Sequence, residues 1–197
     1  MNNIYEKLTS CVGQVRAKVN FAPRVALVLG SGLDKFADKE IRMEATVPYA
    51  EIEGFPISTA PGHVGRFVFG YVGDVPVVCM QGRIHYYEGY DMSDVVLPIR
   101  LMGSLGAKTL ILTNASGGIA TGFHAGDLML IKDQIANLIP SPLRGENIAE
   151  LGTRFPDMSH IYDEDLRNLA KRVAASRDII LKEGVYIQTP GPQYESP

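Results

Sequence analysis

Long apolar runs are missing from this sequence: none approaches the roughly 20 residues that span a bilayer, so no membrane partner is expected. A dominant charge is missing too. The 19 basic and 22 acidic residues leave a formal charge of −3, with no block of one sign to draw the chain to nucleic acid or an anionic surface. A small-molecule partner is therefore expected. The first residues lack the charged-then-apolar layout of a leader, which points to a cytoplasmic location. Cysteine is scarce. Cys11 lies in a helical pattern and Cys79 in an apolar strand pattern, so both read as core thiols of a reducing compartment. No internal repeat, low-complexity tract or linker-like stretch interrupts the 197 residues, and 46% of them are apolar. One domain spanning 1–197 is expected.

Ile4, Leu8, Val12, Val15 and Val19 recur at three- and four-residue spacing, predicting an amphipathic helix that ends before Pro23. Arg24 to Leu29 is a short, β-branched apolar run, as expected of a strand buried on both faces. The same signature returns in Val75 to Met80 and Thr109 to Thr113. Arg66 to Val72 alternates, and Gly73-Asp74 supplies a hairpin turn into the next strand. Ser93 is a candidate cap for a helix running to Gly106, with Pro98 either kinking it or sitting in its first turn. Asp163 to Arg177 predicts another helix, and Gly184 to Gln188 a last strand. Interleaved strands and helices mean an α/β fold.

Chemistry is expected in the loops after the strands. Leu29-Gly30-Ser31-Gly32-Leu33 opens a helix after a strand, where backbone N–H groups and the Ser31 hydroxyl suit an anion. A glycine turn of this kind is equally compatible with no ligand. Pro61-Gly62-His63-Val64-Gly65-Arg66 sets an imidazole between glycines, although a loop histidine can simply be solvated. Gln81 to Gly89 is more specific, because Arg83 and His85 lie two apart and, in extended chain, face the same way. They can grip one anion, with Tyr87 continuing that face; the segment also admits a surface pair of Arg83 with Glu88. Asn114-Ala115-Ser116-Gly117-Gly118 again follows a strand. Ligands of open α/β sheets gather at the carboxyl ends of strands, where all these loops lie. His124 sits in a glycine-bounded loop and His160 is expected to begin a helix; neither has a partner at metal-ligand spacing, and no metal is expected.

In order along the chain, LGSGL, PGHVGR, QGRIHYYEG, TNASGG, GDLMLIKD, SPLRG, RFPDMS and GPQYES closely resemble the trimeric purine nucleoside phosphorylases, over residues 24 to 197. The resemblance implies a three-layer α/β fold with a central mixed, largely parallel twisted sheet flanked by helices. It implies that Ser31, His63, Arg83, His85 and the Ala115 backbone N–H bind phosphate. His85 and Tyr87 would reach the ribose, Tyr194 would pack on the base, and Glu195 would bond its pyrimidine-ring edge. His85 and Glu195 are the implied catalytic residues. Phe155 would close the sugar pocket of a neighbouring subunit in a homotrimer.

The implied reaction is phosphorolysis of purine nucleosides in purine salvage, with inorganic phosphate as co-substrate and no cofactor. A carboxylate at Glu195 accepts bonds from the N–H groups of hypoxanthine or guanine, whereas adenine N1 has no proton to offer, which favours inosine and guanosine. Members of the family continue beyond the point where this sequence stops, so a domain lacking its C-terminal part is expected. Gln134 stands where histidine is usual, Ser116 where alanine is frequent, and Tyr194 where phenylalanine is commoner. A non-catalytic homologue that binds phosphate or nucleoside alone is the alternative. A dinucleotide-binding oxidoreductase would need an acidic residue ending a second strand about 20 positions beyond the first glycine turn, and Glu44 and Glu51 have no convincing strand before them.

Overall fold

A computed structural model describes residues 3–59 and 64–193. His63, Tyr194 and Glu195, three of the expected site residues, lie outside the described residues. The chain divides into two compact units, one up to Ala115 and one from Ser116 onward.

The first unit is built on a five-stranded mixed sheet ordered β2-β3-β4-β1-β5. Its strands are β1 (Val25–Val28), β2 (Arg42–Pro48), β3 (Arg66–Val72), β4 (Val75–Gln81) and β5 (Thr109–Leu112). Strand β1 lies between β4 and β5, parallel to both, while β2, β3 and β4 run antiparallel in sequence. The Gly73-Asp74 turn joins β3 to β4 as expected, with Gly73 at φ +57°. Gly70 is required where β2 bulges between Met43 and Ala45, because a β-carbon there would strike the Arg42 carbonyl.

The core forms on this sheet. Phe67, Val68 and Phe69 on β3 and Val77, Val78, Cys79 and Met80 on β4 are buried. Phe67 meets Tyr49 and Phe55 at ring-centroid distances of 5.0 and 5.5 Å, in edge-to-face contacts. Truncating a buried phenylalanine of this kind typically costs about 3–5 kcal/mol. Both cysteines are free and buried, and burial pushes the Cys79 thiol up to about 12, which makes it inert packing.

Helix α1 (Asn3–Lys18) places Leu8, Cys11 and Val15 inward. Helix α2 (Asp34–Glu40) follows the first glycine turn and buries Ala37. The helix expected from Ser93 to Gly106 is instead two pieces, α3 (Met92–Val95) and α4 (Leu97–Ser104), with Asp91 at the N-cap position. The break falls at Val96, so Pro98 occupies the first turn of α4, where its missing N–H leaves no bond unmade.

Strand β5 departs from its expected burial on both faces. Leu110, Ile111 and Leu112 are 41%, 48% and 55% exposed, because among the described residues β5 is an edge that pairs with β1 alone. Strand β2 was not legible from residue pattern, since its outer positions alternate little, and Glu44 lies within it.

In the second unit, β6 (Leu128–Ile135) and β7 (Leu181–Ile187) form a parallel pair. Helix α5 (Glu164–Ala175) starts behind Asp163, whose carboxylate accepts from the Leu166 N–H at 2.8 Å. His160 lies in a turn ahead of this helix rather than beginning it, because the cap is Asp163. Lys182 on β7 donates to Asp127 at 2.6 Å and to the Gly122 carbonyl, closing the loop before β6. Among the described residues, no helix is long and apolar enough to cross a membrane.

Candidate active site

The parallel register decides which loop residues meet. Val28 of β1 is paired with Met80 of β4 on one side and with Leu112 of β5 on the other. Three residues beyond that row, at the carboxyl end, stand Ser31, Arg83 and Ala115. Neighbouring strands lie about 4.8 Å apart, so the three loops leave the sheet side by side. Three of the expected phosphate ligands thus start from one sheet edge within the first unit.

Two contacts hold the loops after β1 and β5 together. Thr113 donates from its hydroxyl to the Val28 carbonyl at 2.9 Å and accepts from the Gly30 N–H at 2.8 Å. A β-carbon on Gly30 would lie 2.6 Å from the Asn114 Cα, so only glycine lets these backbones approach. Ser31 and Ala115 are both exposed just past this contact, and Gly32, at φ +85°, turns the chain towards α2.

The Arg83 loop is fixed from below. The buried Tyr49 donates its hydroxyl to the Gly82 carbonyl at 2.8 Å, and the Gly65 N–H donates to the Gln81 carbonyl at 2.9 Å. Gln81, a buried polar side chain, donates to the Asp34 carbonyl at 2.7 Å and accepts from Arg66 Nε at 2.8 Å. It ties the first turn of α2 to β3 and β4. Ile84 is buried while Arg83 and His85 on either side are half-buried, which fits the expected alternation. The Tyr87 ring stacks on the His85 ring with centroids 4.8 Å apart and planes 22° from parallel.

Glu88 has a different role from the surface partner of Arg83 that the segment admitted. Its side chain is only 2% exposed, and Oε1 accepts from the His85 N–H at 2.8 Å and lies 2.9 Å from His85 Nδ1. Oε2 accepts from both the backbone N–H and the hydroxyl of Thr59. Burial alone would push this carboxyl up; hydrogen bonds from Thr59 and His85 outweigh it and hold the carboxyl at about 2. An ionised carboxylate only accepts, so the short contact puts a proton on His85 Nδ1 and leaves Nε2 as the ring atom for a ligand. A histidine and a glutamate three residues apart around a tight turn form a capping pattern, a sequence signal by which this pair could have been found and was missed. Nothing in the sequence marked Thr59.

Phe155 belongs to the second unit and is 86% exposed, with the Arg154 guanidinium 6.0 Å from its ring centroid. Arg154 also donates to the carbonyls of Leu143 and Gly145 at 2.8 and 2.9 Å, which fixes the backbone carrying the ring. Among the described residues, no group of three or more histidine, cysteine or acidic side chains is arranged to hold a metal.

Loops of small residues, an arginine and a histidine braced by a carboxylate at the carboxyl ends of parallel strands define an α/β protein suited to a small anionic ligand. The chain belongs to the Phosphorylase superfamily, whose sequence pattern matches residues 24–197. It is 48% identical over 183 residues to purine nucleoside phosphorylase 1 of Geobacillus stearothermophilus, a match that covers 93% of this chain and 66% of that protein. Purine nucleoside phosphorylase 1 of Bacillus subtilis is 44% identical over 98% of this chain and 70% of its own length. The crystal structure of the Schistosoma purine nucleoside phosphorylase in complex with hypoxanthine matches with a TM-score of 0.90 at 37% identity, over 97% of this chain and 69% of that one. The fold is therefore that of the nucleoside phosphorylases, a mixed sheet with parallel strands flanked by helices. The chain spans about two thirds of the length of these relatives.

Proposed function

We propose that this protein catalyses phosphorolysis of purine nucleosides, with a preference for inosine and guanosine, as a transferase of purine salvage. The observation that carries the reading is the row formed by Ser31, Arg83 and Ala115 beyond Val28, Met80 and Leu112, with His85 held by Glu88 beside it. The relatives' names and the hypoxanthine in the Schistosoma complex support it.

In this reading, Arg83, the Ser31 hydroxyl, the Ala115 N–H and His85 hold a phosphate dianion, joined by His63. A phosphate oxygen forms the new bond to C1′ as the bond from C1′ to the purine breaks. The bonding electrons leave with the base, and the proton carried by the attacking hydrogen phosphate ends on the purine. Ribose 1-phosphate and free base result. The developing positive charge on the sugar lies against the bound anion, so orientation and electrostatics supply the rate. His85 contributes as the imidazolium, donating from Nε2–H to a phosphate oxygen while Nδ1–H stays on Glu88, and need not exchange a proton.

Tyr194 would pack on the base, and Glu195 would bond its ring N–H groups. Tyr87 would line the ribose, and Phe155 would close the sugar pocket of a second copy within a homotrimer, which fits its exposure in the single chain. The reaction as written needs phosphate as co-substrate and no metal or cofactor, and the location proposed is cytoplasmic.

Release of hypoxanthine from inosine, followed with and without phosphate, tests the reading. Phosphate-dependent release, with inosine and guanosine cleaved far better than adenosine, is expected. Glu195→Gln should cost most with the 6-oxopurines. A chain that binds phosphate or nucleoside without turnover would establish the non-catalytic alternative instead.

A further inference from the structure

We propose that Thr59 is a positioning residue for His85: its hydroxyl and its backbone N–H together clamp the Glu88 carboxylate that orients the imidazole. The inference rests on the reading of His85 as a phosphate ligand.

Three observations carry it. Both donors of Thr59 converge on one oxygen, Oε2, while the other oxygen serves His85, so the carboxylate plane cannot rotate without breaking a bond at each end. The Glu88 side chain is 2% exposed, so water has little access to replace a lost donor. The segment that carries Thr59 is itself strapped down. Tyr90 Oη accepts from the Ile57 N–H at 3.1 Å and donates to the Ile57 carbonyl at 2.9 Å. Residues 57–59 and 85–90 therefore form one cross-braced unit, and the far end of the brace is the ring that would meet phosphate.

Threonine suits this role because its hydroxyl and its own N–H lie on the same side of the residue and reach a single acceptor. Removing the hydroxyl leaves Oε2 with the backbone N–H alone. The carboxylate then gains freedom to turn, and the Nδ1–H group of His85 loses its fixed acceptor. A small misplacement of a binding group is felt strongly where the bound anion must be oriented.

The test uses the 197-residue chain and two readouts that need no turnover: nitrogen-15 spectra of the His85 ring, and calorimetric titration with inorganic phosphate. Thr59→Val keeps shape and branching and deletes the donor. It should convert a fixed Nδ1–H signature into an averaged one and weaken phosphate binding by about five- to tenfold. Thr59→Ser restores a hydroxyl and should return both readouts to those of the parent. Tyr90→Phe, which loosens the strap one step further away, should move both in the same direction by less, and it serves if Thr59→Val does not fold. Parent-like ring signals and phosphate affinity in Thr59→Val, or in Tyr90→Phe if only that variant folds, would overturn the proposal. A ring signature that responds to Thr59→Val in a parent chain without phosphorolysis would instead refute the catalytic reading and leave the clamp standing.

Discussion

Gly30 and Asn114 meet backbone to backbone across the end of the sheet, with room at Gly30 for a hydrogen and nothing larger. Through this contact the loop carrying Ser31 and the loop carrying Ala115 are one structure, and Thr113 locks it by bonding to Val28 and Gly30. Gly30→Ala should therefore force the two loops apart. The atoms in the way are main chain, which cannot swing aside as a side chain would, so a stability loss of about 1–3 kcal/mol is expected. Urea unfolding measures it, and phosphate affinity should fall with it. A parent-like midpoint together with parent-like affinity would contradict the packing described.

Arg83 carries the only full positive charge among the described residues assigned to the phosphate, apart from any charge His85 takes up. Arg83→Ala should weaken phosphate binding by roughly 1.5–3 kcal/mol, the worth of a charge-assisted contact, or about ten- to a hundredfold. Titration calorimetry with inorganic phosphate reads this directly. Unchanged affinity would remove Arg83 from the site.

The Glu88 carboxyl predicts an acid dependence of stability. Its folded value, about 2, lies below the usual 4.5, so the folded state gains stability above the unfolded value and loses it as pH falls towards 2. The sign follows from proton binding: between these values the unfolded chain takes up the proton and the folded chain resists it. Glu88→Gln should be less stable than the parent near neutral pH by roughly 1–3 kcal/mol. The gap should shrink as pH falls from about 4.5 towards 2. Unfolding curves across that window check it; a gap that stays constant would show that the carboxylate is not ionised in the fold.

Phe155 tests assembly. A ring that is 86% exposed in the single chain, on backbone braced by Arg154, is expected to pack against another copy. Sedimentation should find a trimer at micromolar concentration. Phe155→Ala should raise the Michaelis constant for nucleoside while leaving phosphate affinity near that of the parent. A monomeric parent would count against the proposed trimer.

Much of this protein was open to a reading of residue pattern alone. The apolar runs placed β1, β4 and β5, the alternation at 66–72 placed β3, and the glycine-rich joints after the strands marked the loops that converge. These features are local. Backbone preference, period and turn chemistry act within a few residues and leave their mark in the sequence. The resemblance carried by the ordered motifs over residues 24–197 then implied candidate ligands one by one.

Other features depended on partners far along the chain. The apolar content of Thr109–Leu112 predicted burial on both faces, but strand order made β5 an edge, and order is set by which strands pair. Pro98 allowed two outcomes, and the structure shows a break at Val96 with Leu97, Leu101 and Met102 of the following helix buried. The partner of β7 is β6, about 50 residues earlier, and no local signal records that distance. The segment admitted Glu88 as an alternative surface partner of Arg83, yet the fold buries it between Thr59 and His85 and makes it the brace of the His85 ring. The residue types, the loops and the chemistry they suit were determined by the sequence itself, because those depend on side chains and local backbone. Only the tertiary structure decided that Ser31, Arg83 and Ala115 stand in one row and that Thr59 reaches His85 through Glu88, because parallel register and burial join residues that the chain holds far apart.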